Sequence, residues 1–213
     1  MHISDGVLSP AVLAGGTALA VAGTWIGLRR LPDERIMTAA VLSAAFFVVS
    51  LIHVPLGPSS VHLLLNGLAG IILGWAAFPC ILVALFLQSI LFQFGGLTAL
   101  GVNALNTAAP GVLCHYLFRS HLTGRGPVSA AAAFLGGALA VAGTAIMAAF
   151  CLALTDAAFL GAARFVVATH APVMLVEGLV AMFAAGFLAR IRPELLETPS
   201  ARESEREGEA PCG

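Results

Sequence analysis

The residues most able to do chemistry stand at the very start of the chain: Met1-His2-Ile3-Ser4-Asp5-Gly6-Val7-Leu8-Ser9-Pro10. If the α-amine of Met1 stays free, it joins His2 in offering nitrogen donors: the amine itself, the deprotonated His2 amide and the imidazole Nδ1. Together they close a five-membered and a six-membered chelate ring and define most of a plane. One more imidazole would complete a square of nitrogens, which suits Ni²⁺ or Cu²⁺ better than Zn²⁺. The chain holds six histidines, so His53, His62, His115, His121 and His170 are candidates for that donor. Its four cysteines, Cys80, Cys114, Cys151 and Cys212, lie far apart with no C-x-x-C pair. They read as small core residues, with neither a structural zinc site nor a disulfide framework.

The elements that must position these groups are membrane helices. Of 213 residues, 59% are hydrophobic and only 10% charged, with a mean hydropathy of +0.98. A soluble domain carries about 25% charged residues, so the composition is that of an integral membrane protein. Lysine is absent, ten arginines carry the positive charge, and the formal net charge is −1. Nothing there calls for nucleic acid. No basic residue precedes the first apolar run, so that run lacks the form of a cleaved signal peptide and the N-terminus is expected to be retained.

A spanning helix needs about 20 apolar residues, and the sequence offers candidates at 8–28, 36–54, 60–77, 78–95, 98–118, 128–154 and 165–190. The third and fourth run together through Gly74-Trp75-Ala76-Ala77-Phe78-Pro79, where a tight turn is expected. The predicted fold class is therefore an all-α membrane protein of seven transmembrane helices. Arginine placement orients it. With the N-terminus outside, Arg29, Arg30, Arg35, Arg119, Arg125, Arg190, Arg192, Arg202 and Arg206 fall inside, and Arg164 alone falls outside. This topology places His2, His53, His62 and His170 at outer helix ends and His115 and His121 near an inner one.

Glu177 is an ionisable group within the seventh apolar run. Such groups face a bundle interior and are either functional or structural anchors; Glu177 also shares a helix face with His170. Stripes of small residues at Gly15–Gly23 and Gly136–Gly143 allow close helix packing and offer a candidate partner surface. Residues 1–192 read as one membrane domain. Residues 193–213, with six Glu and two Arg, read as an acidic, disordered cytoplasmic tail.

At this point four stretches carry a resemblance. They are the opening decapeptide, Gly57-Pro58-Ser59-Ser60-Val61-His62-Leu63-Leu64-Leu65-Asn66-Gly67, Phe94-Gly95-Gly96-Leu97-Thr98-Ala99-Leu100-Gly101-Val102-Asn103-Ala104-Leu105-Asn106, and His170-Ala171-Pro172-Val173-Met174-Leu175-Val176-Glu177-Gly178. In this order and spacing they resemble the CbiM/NikM family, the substrate-binding membrane subunits of energy-coupling-factor nickel and cobalt transporters. The resemblance implies a first helix that carries the N-terminus into the centre of the molecule. It also implies metal ligands at Met1, His2 and a histidine at the start of the third helix, His62. Asp5, His53, Asn66, Asn103, Asn106, His170 and Glu177 are the polar candidates around them, with 54–60 and 93–97 as covering loops. Thr107 stands where the family commonly has Met.

Ni²⁺ or Co²⁺ would be a transported substrate, and no resident cofactor is expected. The chain has no G-x-x-x-x-G-K-[ST] loop, so energy must come from elsewhere. The resemblance implies two cytoplasmic ATPases, a transmembrane coupling subunit and a small additional membrane subunit in the lipid of a prokaryotic inner membrane. Two other readings compete. An intramembrane metalloenzyme would use His62, His170 and Glu177, although no H-E-x-x-H helix occurs. A vitamin-binding subunit of the same transporter type would want an aromatic pocket, yet aromatics are only 8%. A transport subunit without enzymatic activity is the favoured expectation.

Overall fold

The computed structural model describes residues 3–56, 59–122 and 126–196, and the side chains of 53–61 lie outside that description. Helix α1 (Pro10–Arg29) starts where Ser9 caps it, the Ser9 hydroxyl accepting from the Val12 amide at 3.5 Å with Pro10 in the first turn. Both are residues that helix starts favour. Then come α2 (Ile36–Val49), β1 (His53–Leu56), β2 (Ser59–His62), α3 (Asn66–Leu73), α4 (Ala77–Phe92), α5 (Leu100–Phe118), α6 (Pro127–Thr155) and α7 (Leu160–Ile191). Four stretches are long and apolar enough to cross a membrane: Pro10–Arg29, Asn66–Phe92, Pro127–Thr155 and Ala157–Ile191. Large apolar side chains such as Leu19, Met37, Ile90, Phe150 and Phe183 face outward, as suits a chain whose solvent is partly hydrocarbon.

One expectation needs correction. The predicted spans 36–54 and 60–77 lose their facing ends to an antiparallel hairpin, with Cα partners His53↔His62, Val54↔Val61, Pro55↔Ser60 and Leu56↔Ser59. Pro55 and Pro58 withhold backbone donors and β-branched residues surround them, which disfavours helix. His62 therefore ends a strand instead of starting a helix, and the all-α class holds apart from this hairpin. The expected turn between the third and fourth helices falls within its predicted stretch. Gly74 takes φ +58°, one 3₁₀ turn follows over Gly74–Ala76, and α4 begins with Pro79 in its first turn.

The short α3 is held at both ends. Leu65, just before it, adopts a left-handed φ of +51°, unfavourable for a residue with a Cβ. At the other end Arg119 is buried, its Nη1 donating to the carbonyls of Ile71 (3.2 Å) and Ile72 (2.8 Å). The guanidinium thus satisfies carbonyls that a helix end leaves unpaired and complements the negative end of the dipole.

Part of each small-residue stripe packs within the chain, while on α1 a Cβ at Gly15 would meet nothing within 4 Å and Ala18 and Ala22 stay exposed. A Cβ at Gly23 or Gly27 of α1 would run into Phe78 and Trp75, and one at Gly137 or Gly143 of α6 into Ala181 and Pro110. The closest approach is Gly70 of α3 on Gly111 of α5, where an added Cβ would overlap the Gly111 backbone. Gly70→Ala is expected to destabilise the fold by about 2–3 kcal/mol, the range for overpacking a rigid contact. A melting curve in detergent indistinguishable from wild type would contradict this. Beyond α7, Leu196, in the predicted tail, is buried behind a 3₁₀ turn at Pro193–Leu195. The remainder of that tail, 197–213, lies outside the described residues.

Candidate metal centre

The N-terminal segment is stitched into the bundle by groups far away in sequence. The Ile3 amide donates to Asn103 Oδ1 at 3.0 Å, and Asn103 Nδ2 donates back to the Ile3 carbonyl at 3.0 Å. One side-chain amide thus pairs with both polar groups of one backbone residue, as a neighbouring strand would. Asp5 Oδ1 accepts from the Thr98 amide (3.1 Å), the Ala99 amide (3.2 Å) and the Thr98 hydroxyl. These donors lie at the N-terminus of α5, where a helix has unpaired N–H groups and attracts negative charge. Ser9 adds a third tie: its amide donates to Thr155 Oγ1 at 3.3 Å at the end of α6. Leu8 is buried with Val102, Leu152 and Ala163, and Ile3, Val7, Val12 and Val166 pack around them. Residues 3–9 are therefore wedged between α5, α6 and α7.

Gly96 completes the Asp5 contact. Its φ is +153°, and a Cβ there would occupy the place of the Asp5 carboxylate. The Thr98 hydroxyl, helped by the Ala99 and Thr98 amides and opposed by desolvation, holds the Asp5 carboxyl below its ordinary value. A pKa lower in the folded chain means a stabilising contribution fully present above about pH 4 and lost as pH falls through the folded value. Asp5→Asn is expected to speed hydrogen exchange at the Thr98 and Ala99 amides at neutral pH. It should also remove the fall in protection, measured against the intrinsic exchange rate, that the wild type shows at these amides on acidification; an unchanged acid response would count against the contact.

On the facing side, Glu177 of α7 pins the segment between β2 and α3. Its Oε1 accepts from the Leu64 amide and, at 2.9 Å, from the Leu65 amide, which also reaches Oε2 at 3.0 Å. Glu177 is 1% exposed, so a carboxyl group placed there needs these donors. His62, 2% exposed, stands just before the pinned segment, its Nδ1 3.1 Å from the Leu63 carbonyl. A carbonyl can only accept, so Nδ1 carries the proton and the ring lone pair lies on Nε2, an arrangement usual for a metal-binding histidine.

Between these two anchors runs a buried polar row. Thr107 Oγ1 donates to the Asn103 carbonyl at 2.8 Å, and Asn66 Nδ2 donates to the Thr107 carbonyl and Thr144 Oγ1, each at 2.9 Å. Thr107 is thus a hydrogen-bonding link where the family commonly has Met. Cys151 Sγ donates to Asn106 Oδ1 at 3.6 Å. His170, 4% exposed, has its Nδ1 2.5 Å from the Val166 carbonyl. Three of these side chains keep buried atoms unpaired among the described residues: Asn66 Oδ1, Asn106 Nδ2 and His170 Nε2.

Sequence reasoning singled out Asp5, Asn66, Asn103, Asn106, His62, His170 and Glu177, and the structure gives each a place in this framework. Met1 and His2 lie outside the described residues; so does the side chain of His53, whose Cα faces that of His62 across the hairpin. The covering stretch 93–97 is a turn containing Gln93 at φ +58° and Gly95 at +80°. Thr98, Thr144, Thr155, Cys151 and Gly96 were not foreseen. His62, His170 and Glu177 do not form a metal-holding group among the described residues, and both Glu177 oxygens are committed to backbone donors.

Long apolar helices around a docked N-terminal segment define a multi-pass membrane protein. Residues 2–195 match the family described as "Cobalt uptake substrate-specific transmembrane region", and the chain belongs to this family, CbiM. A Haemophilus influenzae protein named for metal transport is 43% identical over 202 residues, covering 92% of this chain and 97% of that one. The Sorangium cellulosum cobalt transport protein CbiM is 30% identical over 214 residues, covering 92% and 95%. The Rhodobacter capsulatus fused nickel transport protein NikMN is 38% identical over 117 residues, which are 52% of this chain and 34% of that protein. A crystal structure described as that of a transition metal transporter shares the fold, with a TM-score of 0.78 over 90% of this chain and 93% of that one at 24% identity.

Proposed function

We propose that this chain is the metal-capture membrane subunit of an energy-coupling-factor importer, taking up Ni²⁺ or Co²⁺ as its transported substrate. The ligands are the Met1 amine, the His2 amide and imidazole, and the His62 imidazole, in a planar set of nitrogens. The observation that carries this reading is the reciprocal pairing of Asn103 with the Ile3 backbone. It holds the residue next to the proposed chelate inside a helix bundle, where a swinging terminus would otherwise lose the entropy advantage of preorganisation.

In this reading Asp5 and Asn103 fix the chelating arm, while Glu177 and Asn66 fix the segment that presents His62. Asn106 Nδ2 and His170 Nε2, a donor and an acceptor buried without partners among the described residues, supply hydrogen bonds to the arm. His53 borders the site from the opposite strand, and the β1–β2 hairpin with 93–97 forms the cover that opens for release. Binding displaces protons from amine, amide and imidazole, so affinity falls with acid. The N-terminus faces outward in a prokaryotic inner membrane, and seven helices meet the bilayer. Two cytoplasmic ATPases, a coupling subunit and a small membrane subunit supply and transmit the energy.

The test is to block the amine. Adding residues before Met1, or acetylating it, is expected to abolish tight Ni²⁺ and Co²⁺ binding in isothermal titration without changing the melting curve. Undiminished binding would reject the ligand set, and a vitamin-binding subunit would be indifferent to the change.

A further inference from the structure

Away from the metal centre, α1, α4 and α5 enclose an apolar groove of about 500 Å³. Leu19 and Ile26 of α1, Phe78 of α4, and Leu105, Val112 and Leu113 of α5 wall it. At one end stand polar heads. Tyr116 Oη accepts from Arg30 Nη1 at 3.2 Å and from Trp75 Nε1 at 2.9 Å. The Arg30 guanidinium lies 5.8 Å from the Trp75 ring centre, and that of Arg29 lies 3.9 Å over Trp25. Both arginines are exposed, and neither has a carboxylate partner among the described residues. A phenol that accepts two hydrogen bonds still has its own proton to give, and most Arg30 N–H groups remain to donate.

We infer that this groove is a binding site for one anionic phospholipid, with an acyl chain along the groove and the phosphate on Arg30, Arg29 and Tyr116. The dimensions agree. From Leu19 to Arg30 a helix rises about 16 Å at 1.5 Å per residue, roughly half of a ~30 Å hydrocarbon core and hence one leaflet. The aromatic rings lie at the charged end of the groove, the position tryptophan and tyrosine favour at a membrane interface. Basic pockets between membrane helices are a recognised cradle for anionic headgroups. Charge selects the occupant: a zwitterionic lipid brings its own cation to the two arginines, and an anionic lipid does not.

The experiment uses the full chain in detergent, with phosphatidylglycerol or phosphatidylcholine of identical acyl chains added in mixed micelles. Native mass spectrometry counts the retained lipid, and a melting curve reads stabilisation. Phosphatidylglycerol is expected to be retained preferentially and to raise the melting temperature. Arg30→Gln should cut the preference by about fivefold, and Tyr116→Phe should reduce it further. Arg190→Gln, at an exposed arginine on another helix, should leave it unchanged. Leu113→Trp fills the groove, spares the arginines and should lower retention. Equal retention of both lipids would overturn the inference, as would a preference that survives Arg30→Gln. Stabilisation by glycerol phosphate without acyl chains would make this a free-phosphate site instead. If Leu113→Trp keeps the lipid but loses co-purification with a membrane partner, the groove is a subunit interface.

Discussion

Replacing His62 with alanine is expected to weaken Ni²⁺ and Co²⁺ binding by at least about 100-fold, a loss of ~2.7 kcal/mol, while the fold stays intact. The reason lies in what each neighbour holds. The backbone around His62 is pinned by Glu177 through the Leu64 and Leu65 amides, and these bonds survive loss of the imidazole and its contact to the Leu63 carbonyl, so the substitution removes a metal donor and leaves most of the frame. Isothermal titration reads the affinity and a melting curve reads the frame. His115→Ala is the control, because that ring sits at the opposite end of α3, with Nδ1 2.8 Å from the Ile71 carbonyl. Equal losses in the two variants would mean that histidine content, not this site, governs binding.

Glu177→Ala is expected to have the largest effect on stability, about 3–5 kcal/mol. Two buried amides would lose their acceptor, at about 1–3 kcal/mol each. Leu65 would also be left in its left-handed conformation with nothing to hold it. Metal binding should fall as well, since His62 rides on the released segment. Glu177→Gln keeps one acceptor oxygen and should fall between alanine and wild type. Thermal unfolding in detergent and metal titration on the three proteins check the order. An alanine variant that melts like the glutamine variant would show that the amides find other acceptors and that the carboxyl group is not what pins the segment.

How far the sequence spoke for the fold depended on the length of each apolar run. The run at 128–154 corresponds to α6, Pro127–Thr155, and that at 8–28 to α1, Pro10–Arg29, because long uninterrupted apolarity has one solution in lipid. Between residues 50 and 66 the run is broken by prolines and glycine. Apolar content alone cannot separate a strand from a helix there, and the hairpin was missed. In the site, Glu177 stood out because a carboxyl group inside an apolar run is costly. Its partners could not be read, since they are main-chain amides of Leu64 and Leu65 and every residue but proline has one. The Ile3–Asn103 pairing was hidden for the same reason: it reads backbone, across a separation of 100 residues. The partners of Arg119 could not be read either, because they are main-chain carbonyls of a helix end that only the fold brings to it.

The eight residues of α3 are tethered at one tip by a carboxyl group on α7 and at the other by a guanidinium just past the end of α5, and glycine contacts leave little room for bending between them. Such a segment behaves as a short crossbar slung from two separate posts. Any sliding of α5 past α7 would tilt it as a unit, so a push delivered near Arg119 would be felt as displacement of the imidazole at the far tip.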